Sequence, residues 1–394
     1  MLATVLLLAQ LVLPGLPSGP IQPPGMICLG ECAGPVVWGP AERGRLVVAC
    51  DMRSATCSDG RKISTVRATP VPCETSPGVW QMVGPDEGCY SVRGLESWAA
   101  NTSYLSWGAE LDRSPWRVVE GATLAKQDVF YRISGVNLNS RVLQTLAQPE
   151  AGDWTLSCIM KTSGSSNPRL RLFPEGGSGG GFCNLDSSDG FSTHSCTKTI
   201  EGSTTSLGLH VYTGIGHIDV IGCWLTRTAT PGRACWGGEA PVTCAADRHT
   251  ISTEGWPTES GEISVIVGWQ KPTPYTTTYI FDSRTEENLN AARFYVSASS
   301  EGSRLALALG TNIVVASPVL EWEVGRDYAV SIRRNEDGTV TLRRDGMVLA
   351  QASGPALSWG DVATLGAQRT LISTQYLDGS IRSLTVRSYE EVSP

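Results

Sequence analysis

Signatures of catalysis and of nucleic-acid binding are scarce in this sequence. Its 394 residues include only four histidines (His194, His210, His217, His249), and 18% are charged, where soluble domains average about a quarter. The histidines keep no metal-ligand spacing to the cysteines. A Gly-x-Ser-x-Gly elbow is absent, so a serine hydrolase has no anchor here. The glycine run at residues 176–181 is followed by no Lys-Ser/Thr, which excludes a phosphate loop; it reads as a hairpin or rim loop. The net charge is −7. Lys and Arg are scattered, with short pairs such as Arg333-Arg334 and Arg343-Arg344. Neighbours on a strand face opposite ways, so such pairs build no basic patch, and nucleic acid is not expected as a partner. The apolar run at residues 1–16 is too short to span a bilayer comfortably. It reads as a secretory leader, with an uncleaved apolar arm as the alternative.

Cysteine is missing after Cys244 but plentiful before it. The twelve are Cys28, Cys32, Cys50, Cys57, Cys73, Cys89, Cys158, Cys183, Cys196, Cys223, Cys235 and Cys244. Zinc needs paired thiols at CxxC-type spacing. Cys28/Cys32, Cys50/Cys57 and Cys235/Cys244 come nearest, and none repeats. The even count therefore reads as disulfides, which implies an oxidising setting: extracellular, cell surface or virion. Their connectivity stays open.

The 43 glycines and 23 prolines suit many short strands joined by tight turns. Composition divides the chain. Residues 1–19 are the leader or arm. Residues 20–89 are rich in Pro, Gly and Cys and are expected to be stapled by disulfides and laid against the neighbouring unit. Residues 90–227 carry strand-like runs at 128–133, 154–160, 169–173, 207–212 and 217–225. Residues 228–248 form a linker, which a small loop closed by Cys235 and Cys244 would stiffen. In residues 249–394, a strand runs over 262–269, and Tyr328, Val330 and Ile332 alternate. Turns at residues 335–338 and at Asp345-Gly346 join three successive strands. No long helical period appears. The fold class is all-β: tandem antiparallel β-sandwiches behind a disulfide-stapled N-terminal region.

Three features together resemble a laminin-G-like or concanavalin-A-like β-sandwich over residues 250–390. They are the Tyr-Ala-Val-Ser-Ile-Arg-Arg strand from Tyr328, the turns at Gly338 and Asp345-Gly346, and the closing Leu-Asp-Gly-Ser-Ile-Arg-Ser-Leu-Thr-Val run from Leu377. Thr102, Leu105, Leu111 and Trp116 fit the opening of another pattern, with Ser103 in place of its Asn and Gly108-Ala109 in place of its Ser-Glu. On these, residues 90–227 resemble the jelly-roll carbohydrate-binding modules of phage tail and fibre proteins and of secreted bacterial proteins. Both resemblances imply curved sheets that hold glycans or proteins, although fold alone does not fix function.

Glu321 and Glu323, two apart, are the best carboxylate pair for glycoside chemistry. The Glu-x-Asp-x-x-Glu run of the concanavalin-like glucanases is absent. Tryptophan outnumbers phenylalanine, 12 to 6, and an indole can stack on a sugar while its N–H reaches a hydroxyl. Trp107, Trp116, Trp236, Trp256 and Trp359 lie in turn-rich segments and are the candidate ligand contacts; Trp154, Trp224 and Trp269 read as core. Asn101-Thr-Ser103 is a glycosylation sequon. No cofactor is expected, with calcium at Asp282, Asp345 and Asp378 as the one option, since some laminin-G-like domains bind it at their rim. The sequence thus points to a non-enzymatic adhesion protein of the extracellular space or a virion surface. It would recognise a glycan or cell-surface polysaccharide and gain avidity as an oligomer. A capsid, tail or filament component contacting other virion or surface proteins is the alternative, and a secreted glycan-cleaving enzyme a lesser one.

Overall fold

The computed structural model describes residues 44–175, 181–269, 277–368 and 375–389. The apolar N-terminus, the Pro/Gly-rich arm, Cys28, Cys32 and nearly all of the 176–181 glycine run lie outside them. Among the described residues every regular element is a β-strand, so the all-β expectation holds.

Two sheets enclose the C-terminal core. One runs Thr56–Cys57, Arg45–Asp51, Gly379–Ser388, Gly261–Trp269, Asp327–Arg334, Thr339–Arg344, Met347–Ser353, with Gly94–Ser97 and Tyr90–Ser91 added beside Gly379–Ser388. The other runs Asn312–Ala316, Gly302–Leu309, Ala292–Ser299, Thr278–Asp282, Val362–Leu365, Arg248–Ser252, Ser64–Val66. Alternation explains their packing: Ile263, Val265, Val267 and Trp269 point into a core shared with Phe281, Phe294 and Leu307 of the facing sheet. The last three strands of the first path are those read from the sequence. Their tight turn has positive φ at both Asp345 (51°) and Gly346 (81°), as a two-residue hairpin requires.

The N-terminal region is not a unit of its own, and here strand pairing departs from the division drawn by composition. Arg45–Asp51 pairs along Gly379–Ser388, and Ser64–Val66 pairs with Arg248–Ser252. Residues 45–97 thus complete both sheets of the C-terminal sandwich. Tyr90–Ser91 and Gly94–Ser97 belong there as well.

Between these halves sits the middle module, a jelly-roll-like pair of five-stranded sheets. One orders Ala122–Lys126, Tyr131–Gly135, Gly216–Thr226, Gly152–Lys161, Ser192–Ile200; the other orders Phe182–Asn184, Arg169–Glu175, Ser206–Tyr212, Arg141–Ala147, Arg117–Val119. Leu156, Leu170, Leu172, Leu209, Val211, Ile218 and Val220 fill its core. The ends of the module are tied together, because Asn101–Ser103 pairs with Val242–Cys244.

Five disulfides join Cys50–Cys57, Cys73–Cys89, Cys158–Cys223, Cys183–Cys196 and Cys235–Cys244. No described cysteine is free, which supports disulfides over zinc. A buried ionic cluster fixes the junction of module and sandwich. Asp247 accepts from Arg67 Nη1 (3.0 Å) and Arg233 Nη1 (2.6 Å). Burial works against the Asp247 charge, but Arg233, His249 and Arg67 hold its carboxyl below the ordinary range.

Candidate ligand-binding face

The outer face of one middle-module sheet is built by simple alternation. In the Arg-Leu-Arg-Leu-Phe run, Leu170 and Leu172 point into the core, which sends Arg169, Arg171 and Phe173 outward. In Leu-Gly-Leu-His-Val-Tyr, Leu207, Leu209 and Val211 go inward, which sends His210 and Tyr212 outward. Register then adds the other strands. Val119, Arg141, Tyr212 and Arg169 form one rung. Arg117, Leu143, His210, Arg171 and Phe182 form the next. Thr145, Gly208 and Phe173 form the third. Gly208 has no side chain where the His210 ring lies, and a Cβ there would press on His210 Nε2.

The guanidinium groups lie over rings. Arg169 is 4.2 Å from the Phe182 centroid and 5.0 Å from that of Tyr212. Arg171 is 4.3 Å from Phe173 and 4.7 Å from Phe182, and Arg141 is 5.2 Å from Tyr212. Such contacts are worth about 0.5–1 kcal/mol each at exposed sites; their larger effect is to hold flexible side chains in one place. Carbonyls fix two of them: Arg141 Nη1 donates to Asn139 O (2.9 Å) and Arg169 Nη2 to Leu138 O (2.7 Å). Arg117, Arg141, Arg169 and Arg171 make no ion pair among the described residues, and Nε of the last three has no partner there. His210 reports their combined field. Burial first, then the charges of Arg141, Arg171 and Arg117, lower its pKa to about 4. The sequence reading that basic residues make no patch is therefore corrected: four unpaired arginines share one face of an acidic protein.

No family model matches this sequence, and no curated protein matches it. Similar solved structures include the native heptameric SAP-like pentraxin from Limulus polyphemus, at 20% identity and TM-score 0.27, covering 35% of this chain and 69% of that one. Domain 4 of AbnA, a GH43 extracellular arabinanase from Geobacillus stearothermophilus in complex with arabinotriose, aligns at 12% identity and TM-score 0.29, covering 39% and 72%. Domains LG4-5 of the mouse laminin alpha1 chain align at 12% identity and TM-score 0.20, covering 70% and 93%. At these TM-scores the likenesses carry no argument about function.

The loop tryptophans do not form the expected sugar platform. Trp116 and Trp256 are 7% and 5% exposed and offer no open ring. Trp116 Nε1 donates to Trp107 O (3.1 Å), and Trp256 packs edge-on against Phe281 and Trp359. Trp107 and Trp359 are half-buried against the two cores, with Trp359 Nε1 donating to Pro257 O (2.9 Å). Trp236 packs beside Ile159 and Trp224 on the other sheet of the module. Rings at sandwich ends and outer faces close the layers here.

The three aspartates have separate tasks. Asp282 is buried and pairs with Arg284 (2.7 Å). Asp345 caps its hairpin by accepting from Ala329 N (3.0 Å), and Asp378 accepts from Ala99 N (3.0 Å). Among the described residues no three His, Cys, Asp or Glu side chains gather as a metal site. Glu321 and Glu323 lie in an irregular segment before Asp327–Arg334, not on a strand, and Glu323 pairs with Arg326 (3.3 Å). The sequon residue Asn101 donates Nδ2 to Arg233 O (2.7 Å).

Proposed function

We propose that this chain is a non-enzymatic adhesion protein of the extracellular space or a virion surface, and that its middle module holds an anionic glycan on the arginine face. The carrying observation is the set of four arginines, stacked on rings and unpaired with acids. Planar guanidinium forks match carboxylate and sulfate groups in pairs of hydrogen bonds. Five strands span about 19 Å across the sheet at the usual spacing, enough for a short run of sugars rather than one. Arginines already held by rings and carbonyls lose little freedom on binding. Repetition in an oligomer would multiply a modest affinity.

The test is a pull-down of full-length protein on uronate-rich, sulfated and neutral polysaccharides, with the Arg141→Ala/Arg171→Ala variant alongside. The acidic polymers should bind saturably, more weakly at high salt because exposed charges are screened. The double variant should bind about a hundredfold less, since hydrogen bonds to charged groups contribute about 1.5–3 kcal/mol each. Equal binding by the variant, a preference for neutral polymers, or tighter binding to a polynucleotide would each sink the reading.

A further inference from the structure

Where the middle module meets the C-terminal sandwich, a cleft of about 100 Å³ opens. Trp80, Arg93, Glu96, Trp98, Trp224 and Arg233 are among its walls. Its acid is already occupied: Glu96 Oε1 accepts from Arg93 (3.3 Å) and Oε2 from Trp98 Nε1 (3.1 Å). Donors are in excess. Arg233, whose side chain is 3% exposed, gives Nη1 to Asp247, while its Nε and Nη2 have no partner among the described residues. Trp80 Nε1 has none either.

Charge points the same way. Arg67 and Arg233 are both buried and share the single carboxylate of Asp247. With Arg93 and Glu96 included, three positive groups (Arg67, Arg233, Arg93) face two negative ones (Asp247, Glu96), which leaves one positive charge over. A buried charge without a partner is costly, and an anion in the cleft would remove that cost. A water molecule takes about 30 Å³ of liquid, so the cleft holds a carboxylate and little else. Only the acid end of a larger ligand would enter, with its remainder outside.

We propose that this cleft binds a small carboxylate, with Arg233 as its cation and Trp80 Nε1 as a second donor. The carboxylate belongs either to an acidic sugar or to an acidic peptide group. The site is separate from the arginine face and does not depend on it.

Tryptophan fluorescence of the full-length protein reads the cleft, because three indoles line it. The titrants are glucuronate, N-acetylglutamate, glucose and sulfate. At least one of the two carboxylates should give a saturable change and glucose none; the tighter of the two identifies the source as sugar or peptide. Trp80→Phe keeps the ring and removes the N–H, and should weaken binding about fivefold. Arg233→Lys keeps the charge and removes the fork, and should weaken it more than tenfold. The Arg141→Ala/Arg171→Ala variant should respond like the native protein, which keeps this result independent of the glycan test. No saturable change with either carboxylate would overturn the proposal, as would an equal response to sulfate or an undiminished response in Trp80→Phe. These outcomes decide the matter even where Arg233→Lys fails to fold.

Discussion

His210 is 9% exposed and lies beneath arginines, so its charge is coupled to everything that happens on that face. Its folded pKa of about 4 is below the unfolded value of about 6.5. As pH falls through 6.5 the unfolded chain takes up a proton that the folded one refuses. Stability from this group is therefore complete above about pH 6.5 and is lost progressively down to about pH 4, by about 3 kcal/mol at most. Urea midpoints at pH 7 and pH 4.5 should differ less in His210→Gln than in the native protein; identical differences would count against this assignment. A polyanion seated over Arg141 and Arg171 would reverse the field on the ring and raise its pKa. Binding of a sulfated polymer, which keeps its charge, should then tighten between pH 7 and pH 5, as a direct affinity series would reveal.

The short strand Phe182–Asn184 supplies Phe182, the ring under both Arg169 and Arg171, and it pairs only along Arg169–Glu175 in its sheet. Cys183–Cys196 ties this edge to Ser192–Ile200 of the facing sheet across a separation of 13 residues. Removing that bond with Cys183→Ser/Cys196→Ser should cost about 3 kcal/mol and also weaken polyanion binding, because Phe182 would no longer steady the arginines. Lost stability with unchanged binding would separate the strand from the site. These strands also show what the sequence could reveal. The runs at 169–173 and 207–212 were legible because alternation is local, and so was the three-strand run ending in Met347–Ser353, whose turns announce themselves in Asp345-Gly346. Arg169 and Arg171, two apart, were a visible signal for a shared face; weighing only adjacent pairs such as Arg333-Arg334 missed it. Arg117 and Arg141 reach that face by register between strands far apart in sequence, which no single segment displays. The tryptophans misled for a physical reason. A turn-rich segment looks exposed in one dimension, yet Trp116 and Trp256 fold back from such segments to close the ends of the sheets.

At the scale of the whole molecule, the middle module interrupts a sandwich that needs both flanks of the chain. Val48, Cys50 and Met52 are almost wholly buried in the C-terminal core, and burying an apolar side chain fully contributes about 1.5–3 kcal/mol. Without residues 45–97 the sandwich also loses strands from both sheets. That loss is comparable with the entire stability of an ordinary domain, about 5–15 kcal/mol. A fragment of residues 249–394, the domain suggested by composition, should therefore fail to fold. The module is placed to be removable. Its ends pair through Asn101–Ser103 and Val242–Cys244, and Asp247 N donates to Trp98 O (3.0 Å), so the two halves of the sandwich already touch where the module leaves. Joining residue 98 to residue 247 through a few Gly/Ser residues should give a sandwich with a cooperative thermal transition. Residues 99–246 alone, with Cys158–Cys223, Cys183–Cys196 and Cys235–Cys244 intact, should melt as a second unit and keep the arginine face. Circular dichroism melts of the three fragments decide this. A folded 249–394 fragment would mean that the N-terminal strands only decorate the sandwich, and an unfolded 99–246 fragment that the module depends on its host. The predicted pattern would leave polyanion binding with the excised module, while the carboxylate cleft, which needs walls from both parts, would vanish from either one.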